Sequence, residues 1–223
     1  MLHKVRIWDL PTRLFHWALV ACVACLLVTG WRGGSAIDWH ARFGYAVLAL
    51  LLFRIVWGFV GGRWSRFASF LYAPRHVAAY LRGEPHPDHL VGHNPLGAGS
   101  VFAMLLVLLA QVGTGLFADD EISFTGPLNR FVASSRASAL TWYHKEVGVW
   151  IVVALVVAHI AAIAWYRWKK NENLVRPMLV GDKTLERDVP ASRDSAGTRL
   201  LALVLIALAA GAVAWLVSLG SAM

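Results

Sequence analysis

The sequence predicts an all-α integral membrane protein with five transmembrane helices, and three observations carry that prediction. The 223 residues are 58% hydrophobic, with a mean hydropathy of +0.57, far more apolar than a soluble domain of this size. Five runs approach the roughly 20 residues that a helix needs to cross a bilayer. They are Leu14 to Gly30, Phe43 to Val60, Leu96 to Ala118, Val147 to Trp168 and Leu200 to Leu219. None alternates in and out as the strands of a closed barrel do, so helices satisfy the backbone.

Charge orients these spans. Fifteen lysines and arginines lie before the first span, between the second and third, and between the fourth and fifth, against five (Arg32, Arg42, Arg130, Arg136 and Lys145) in the opposite loops. Because positive charge stays on the cytoplasmic side, the N-terminus is expected inside and the C-terminus outside. Tryptophans fall at both ends of the spans, as an aromatic belt requires: Trp31, Trp39, Trp142 and Trp215 at the outer ends, Trp8, Trp57, Trp64, Trp165 and Trp168 at the inner. The net charge of +8 is accounted for by this asymmetry, and nucleic acid is not an expected partner. The first span is expected to be retained: thirteen residues precede it and no small-x-small cleavage site follows. Cys22 and Cys25 lack the following His of a covalent haem site and read as small hydrophobes.

Between the spans, Ala73-Pro74 offers a helix start and Gly83 a stop, with Val77, Tyr80 and Leu81 on one face, which predicts a short helix in the membrane interface. Glu84 to Pro95 is proline-rich and expected to be irregular. The loop after the third span carries Asp119, Asp120 and Glu121 and a Gly126-Pro127 turn, and is a candidate docking surface. Asn171 to Thr198 is polar and charged, an exposed inner loop.

Two histidines mark the fourth span. His159 is the only ionisable residue between Val147 and Trp165, and His144 stands just before that run; an ionisable ring in hydrocarbon is a functional candidate by default. The fifteen residues between them give about 22 Å of helical rise, most of a hydrocarbon core. His16 lies level with His159 near the inner face, and His40 level with His144 near the outer face. Each pair suits the clamping of one iron through neutral imidazole, a haem held between two helices. Gly44 and Gly148 each follow a histidine by four residues and so share its helix face. Two readings are open for them: room for a flat macrocycle, or close helix packing. Arg54 lies about 21 Å inward of His40; it either pairs with a propionate of the inner haem or snorkels to the interface. Gln111 and Thr114 bond either a neighbouring helix or a quinone head group. His86, His89 and His93 surround Asp88, but Pro85, Pro87 and Pro95 oppose a helix that would align the rings, so no transition-metal site is expected there.

Taken together, Phe15-His16-Trp17, His40 with Gly44 and Arg54, the Gly92-His93-Asn94-Pro95-Leu96-Gly97 stretch and the two histidines of span four resemble the bacterial cytochrome b561 family. The likeness is greatest to the b-type subunits of nickel-iron hydrogenases and to dihaem cytochrome partners. Glu172 to Arg176 and Gly181 to Lys183 resemble the tail that follows the fourth helix in that group. The resemblance runs from about Val5 to Lys183. It implies a four-helix haem-binding bundle, residues 1–183, with two haem b groups ligated by His16 with His159 and by His40 with His144; residues 184–223 are then a polar linker and the fifth helix. Members pass electrons between the quinone pool and a redox partner at the membrane surface, so quinone or quinol and a periplasmic cytochrome c or hydrogenase-like protein are the implied partners, beside membrane lipid. The family spacing between the two histidines of span four is usually one residue shorter. One extra residue turns a ligand by about 100°, so a helix irregularity or a tilted ring is expected there.

Two other functions compete. One is a self-contained quinone-coupled oxidoreductase such as a superoxide oxidase. The other is a histidine-based metal transporter, which is expected to carry carboxylates inside its spans; the five runs contain no Asp or Glu. The charge asymmetry makes a direct prediction: topology reporters fused after Arg32 and Gly126 signal periplasm, and those after Gly83 and Asp188 signal cytoplasm. The opposite pattern inverts the orientation.

Overall fold

A computed structural model describes residues 1–84, 86–122 and 124–221; Pro85, part of the proline-rich stretch, lies outside them. In chain order the elements are β1 (His3–Arg6), α1 (Leu10–Arg32), α2 (Ile37–Val60), α3 (Pro74–Leu81), α4 (Pro95–Gly115), α5 (Ser134–Trp142), a π-helical turn (Tyr143–Gly148), α6 (Val149–Lys169), α7 (Val175–Val180), β2 (Asp182–Leu185) and α8 (Ala196–Ser221). Five helical stretches are long and apolar enough to cross a membrane: Leu10–Arg32, Gly34–Val60, Pro95–Gly115, Ser134–Lys169 and Ala196–Gly220. The protein is an all-α integral membrane protein, with one small β-ribbon.

The contacts divide the chain into two compact units. The first comprises Met1–Phe15, Arg54–Ala103 and Val156–Leu203; the second comprises His16–Phe53, Met104–Leu155 and Val204–Met223.

The first unit is organised around Asp9, a carboxylate with no exposed surface. Its Oδ1 accepts the Thr12 amide at 2.8 Å, capping α1 three residues on, and the Trp57 indole N–H at 3.2 Å. Its Oδ2 accepts the Gly62 amide at 3.1 Å and the Ser65 hydroxyl at 2.7 Å. Four donors from three segments thus converge on one charge, which satisfies the rule that a buried ion be fully hydrogen-bonded. Only glycine fits at position 62, because a Cβ there would lie 2.4 Å from Asp9 Oδ2. The cap also explains why α1 begins four residues before the apolar run predicted by hydropathy.

Beside this hub, β1 and β2 pair antiparallel with His3 opposite Leu185 and Arg6 opposite Asp182. The ribbon lies against a core of Val5, Ile7, Trp8, Trp64 and Val91, covered by Met178, Leu185 and Val189. Gly181, with φ +91°, ends α7 and offers its carbonyl to the amides of Ile7 and Trp8 at 2.9 and 3.0 Å. Ser192 is buried and donates to Ile7 O at 2.7 Å, while the Trp64 indole donates to Pro190 O at 2.9 Å. The polar stretch after α6 is therefore packed secondary structure rather than an exposed loop; its charges face one another, as in Arg6 Nε to Asp182 at 2.5 Å and Arg6 Nη1 to Asp194 at 2.8 Å.

The interfacial helix forms where the sequence places it, with Pro74 in its first turn after extended Ala73. Tyr80 on α3 hydrogen-bonds Tyr166 on α6, and Asn94 Nδ2 donates to the same Tyr166 hydroxyl at 2.9 Å. Burial, and then the bond to Tyr166, push the Tyr80 phenol well above its ordinary pKa. Asn94 Oδ1 accepts the Gly97 amide at 2.8 Å, so the Gly92 to Gly97 stretch is a helix cap that also ties α4 to α6.

In the second unit, α4 stops at Gly115, three residues short of the predicted end. The chain doubles back: Gly126 N–H donates to Ala118 O at 2.7 Å and Leu128 N–H to Leu116 O at 2.9 Å. Asp120 Oδ1 caps the acidic turn through the amides of Ile122 and Phe124. The fourth span starts at Ser134 rather than Val147, because the polar residues of α5 are helical beyond the apolar run. His144 consequently lies inside a helical stretch instead of at its edge, while His40 stands in the first turn of α2.

If the carboxylate hub governs the first unit, Asp9→Ala lowers stability in detergent by roughly 2–4 kcal/mol, one lost cap plus several stranded donors. Asp88→Ala, which breaks an exposed pair with Arg187, leaves the unfolding midpoint unchanged. Thermal or denaturant unfolding of the two variants side by side measures the difference.

Candidate functional site

The second unit brings two of the four singled-out histidines together. The His40 and His144 rings have centroids 6.0 Å apart and stand nearly perpendicular, at 86°. His40 Nδ1 lies 3.0 Å from Leu26 O, and His144 Nδ1 lies 2.8 Å from Gln111 O. A carbonyl oxygen only accepts, so in each ring the proton resides on Nδ1 and the lone pair on Nε2. This is the tautomer of a metal-ligating histidine, whose second nitrogen is anchored by a backbone carbonyl. Edge-to-face packing alone accounts for the ring separation; it does not account for two rings that both commit Nδ1 to the main chain.

Both rings are seated by the same device. Thr29 Oγ1 donates to Cys25 O at 2.7 Å and stands 3.4 Å from His40 Nδ1; Thr114 Oγ1 donates to Ala110 O at 2.9 Å and stands 3.4 Å from His144 Nδ1. The next residue is glycine in each case. A Cβ on Gly30 would lie 3.1 Å from His40 Cε1, and one on Gly115 would lie 2.9 Å from His144 Cε1. Reading the sequence singled out Thr114 but missed Thr29, Gly30 and Gly115. The signal was a short repeat, Leu26-Leu27-Val28-Thr29-Gly30 and Gln111-Val112-Gly113-Thr114-Gly115, in which threonine and glycine follow the accepting carbonyl by three and four residues.

The two glycines chosen from the sequence differ. A Cβ on Gly44 meets nothing within 4 Å, so the space one turn from His40 is open, whereas a Cβ on Gly148 would lie 1.9 Å from Gln111 Oε1. Gly148 therefore packs against α4. Gln111 spends its amide on this helix, donating from Nε2 to His144 O at 2.9 Å, and Thr114 bonds its own helix; helix packing accounts for both. The irregularity expected in span four is present as the π-helical turn Tyr143–Gly148, which contains His144 itself.

His16 belongs to the second unit and His159 to the first, and each is described by its own surroundings. His16 is half-buried on α1, edge-on to Trp17 at 5.1 Å, and His159 is half-buried on α6. Arg54, in the first unit, does not snorkel: it is 3% exposed, its guanidinium lies 4.8 Å from the Phe67 ring centroid, and Nη1 has no hydrogen-bond partner. Gly58, one turn on, admits that ring, since a Cβ there would lie 2.1 Å from Phe67 Cε2. The Asp9 oxygens are taken by other donors, so the buried guanidinium is charge-compatible with an added anion.

The remaining histidines serve other ends. His93 sits between Trp8 and Phe70, 4.6 Å from each. His86 and His89 lie ring to ring with centroids 5.3 Å apart, but Arg187 hydrogen-bonds Asp88 at 2.6 Å and holds its carboxyl below the usual range. Among the described residues no group of three or more His, Cys, Asp or Glu is arranged to hold a metal ion.

Comparison with known proteins follows the same lines. Residues 7–181 match the family described as Prokaryotic cytochrome b561. A probable Ni/Fe-hydrogenase B-type cytochrome subunit of Azotobacter chroococcum mcd 1 is 26% identical over 83% of this chain and 91% of its own length. The probable Ni/Fe-hydrogenase 1 B-type cytochrome subunit of Escherichia coli K12 is 24% identical over 69% and 80%. The probable Ni/Fe-hydrogenase B-type subunit of Rhodobacter capsulatus is 25% identical over 83% of each chain. No solved structure matches.

The glycine seats give a test that needs no ligand. Gly115→Ala drives a methyl group into the His144 ring and lowers the stability of the cofactor-free protein by about 1–3 kcal/mol. Gly113→Ala, whose added methyl meets nothing within 4 Å, is neutral or up to about 1 kcal/mol stabilising. Equal unfolding midpoints for the two variants contradict the seat.

Proposed function

We propose that this chain, which belongs to the prokaryotic cytochrome b561 family, is a membrane subunit that holds two haem b groups and carries electrons between the quinone pool and a periplasmic redox partner of the hydrogenase class. The observation that carries the reading is the His40 and His144 pair, two imidazoles 6.0 Å apart with both Nδ1 atoms committed to carbonyls and both Nε2 lone pairs left for a metal. A haem held by these two imidazoles would supply one-electron transfer between the ferric and ferrous states.

The rest of the assignment gives each residue a task. Leu26 O and Gln111 O fix ring orientation and raise the basicity of Nε2. Gly44 leaves the flat face beside His40 open, and Gly148 serves the same site by admitting Gln111 against α6. His16 and His159 are the ligands of the second haem, and Arg54 is the cation for one of its propionates, a role supported by its buried guanidinium with an unbonded Nη1. A hydrogenase-class partner is supported by relatives named as hydrogenase cytochrome subunits that align over most of their own length. With fifteen lysines and arginines on one set of loops, the His40 and His144 haem lies toward the periplasm of an inner membrane, where such a partner docks.

Cofactor content tests the proposal first. The purified protein yields about two non-covalent haems per chain with a b-type reduced spectrum; one haem, or bound zinc, defeats it. Ligand pairing tests it second. His40→Ala and His144→Ala each lose the same haem, His16→Ala and His159→Ala each lose the other, and a second substitution within a pair adds little. A His16→Ala protein that titrates like His144→Ala defeats the pairing.

A further inference from the structure

We propose that Gln111 is a positioning residue that holds the π-helical turn Tyr143–Gly148 and so sets the direction of the His144 ring; this rests on His144 being a haem ligand. Gln111 grips one residue twice. Its backbone carbonyl takes the His144 Nδ1 proton at 2.8 Å, and its side-chain Nε2 donates to the His144 backbone carbonyl at 2.9 Å. The two bonds reach His144 from the ring and from the main chain, so they fix both where the ring points and the peptide that carries it.

The second bond has a reason to exist. A π-turn shifts hydrogen bonding from four residues to five and takes a carbonyl out of the regular ladder. A main-chain carbonyl freed from the ladder needs a donor wherever packing shields it from water. The Gln111 amide is the side-chain donor that reaches the His144 carbonyl. Gly148 is its counterpart, because a Cβ there would lie 1.9 Å from Gln111 Oε1 and 3.0 Å from Tyr143 Cε1. Gln111 Oε1 is itself buried without a hydrogen-bond partner. An apolar side chain would avoid that cost, so the useful end of the amide is its donor.

Helical arithmetic says what the turn accomplishes. Fifteen residues of unbroken α-helix rotate His159 about 60° past His144, at about 100° per residue. A π-turn absorbs one residue, which changes the offset from about 60° in one sense to about 40° in the other, the value of a plain α-helix one residue shorter. Deleting one residue within the turn does the same with a plain α-helix, and then no carbonyl requires a clamp.

The test uses the full-length protein with Gln111→Leu, with Glu146 deleted, and with both changes. Amide hydrogen exchange over Tyr143–Gly148 is measured on haem-depleted protein, and haem per chain and redox midpoints on the loaded protein. Gln111→Leu raises exchange in the turn about tenfold or more and halves the occupancy of the His40 and His144 haem, or shifts its midpoint alone. The deletion alone keeps two haems, and added to Gln111→Leu it restores both exchange protection and haem. Unchanged exchange in Gln111→Leu overturns the proposal, as does a folded double variant that fails to recover. If the deletion does not fold, Gln111→Asn, one methylene too short to reach the carbonyl, decides: it reproduces the leucine phenotype, and wild-type exchange overturns the clamp. Raised exchange in a protein that never binds haem upholds the clamp and defeats the ligand role of His144 instead.

Discussion

An imidazole inside an apolar span has two nitrogens and, when neutral, one proton. Whatever takes that proton decides which nitrogen faces the rest of the molecule. In the second unit main-chain carbonyls take it, at Leu26 for His40 and at Gln111 for His144. A carbonyl already engaged in a helix has a second lone pair to offer, so this costs the helix nothing. It does require the ring to come within 3 Å or so of the backbone, and a side chain at Gly30 or Gly115 would stand in the way. The threonines and glycines of α1 and α4 follow from that approach, and the histidine tautomer follows from the carbonyl.

The first unit obeys the same rule with charge in place of a neutral ring. Asp9 gathers donors from the start of α1, the end of α2 and the turn after it, and Arg54 is enclosed by Phe67 rather than by water. In both units polar groups are few and each is enclosed by several segments, so the helices are fixed against one another at specific residues rather than by apolar surface, which lipid supplies equally well.

The sequence was most legible where physics acts on runs of residues. The five apolar stretches and the interfacial helix after Ala73 depend on local composition, whereas the irregularity near His144 was expected only from the resemblance, whose members space the two histidines one residue closer. It was least legible where a residue's role depends on a partner far along the chain. Asp9 gives no sign in the sequence of the donors that Gly62 and Ser65 bring to it. Gln111 reads as a packing residue until the π-turn supplies a carbonyl to cover. The ribbon of β1 and β2 was invisible because each strand has four residues, mostly polar, and finds its pair more than 170 positions away. The polar start of α5 was read as loop because hydropathy reports the hydrocarbon and not the helix that extends past it.

That ribbon bears on the order in which the protein is built. His3 to Arg6 are made long before their partners, Asp182 to Leu185, which follow only after four of the five spans have been synthesised. Until then Val5, Ile7 and Trp8 lack the cover of Met178, Leu185 and Val189. The N-terminal strand must wait, unpaired, through most of translation, and its closure with β2 signals that the intervening helices have been inserted in register. Assembly of the first unit therefore closes on a strand that was made long before its partner.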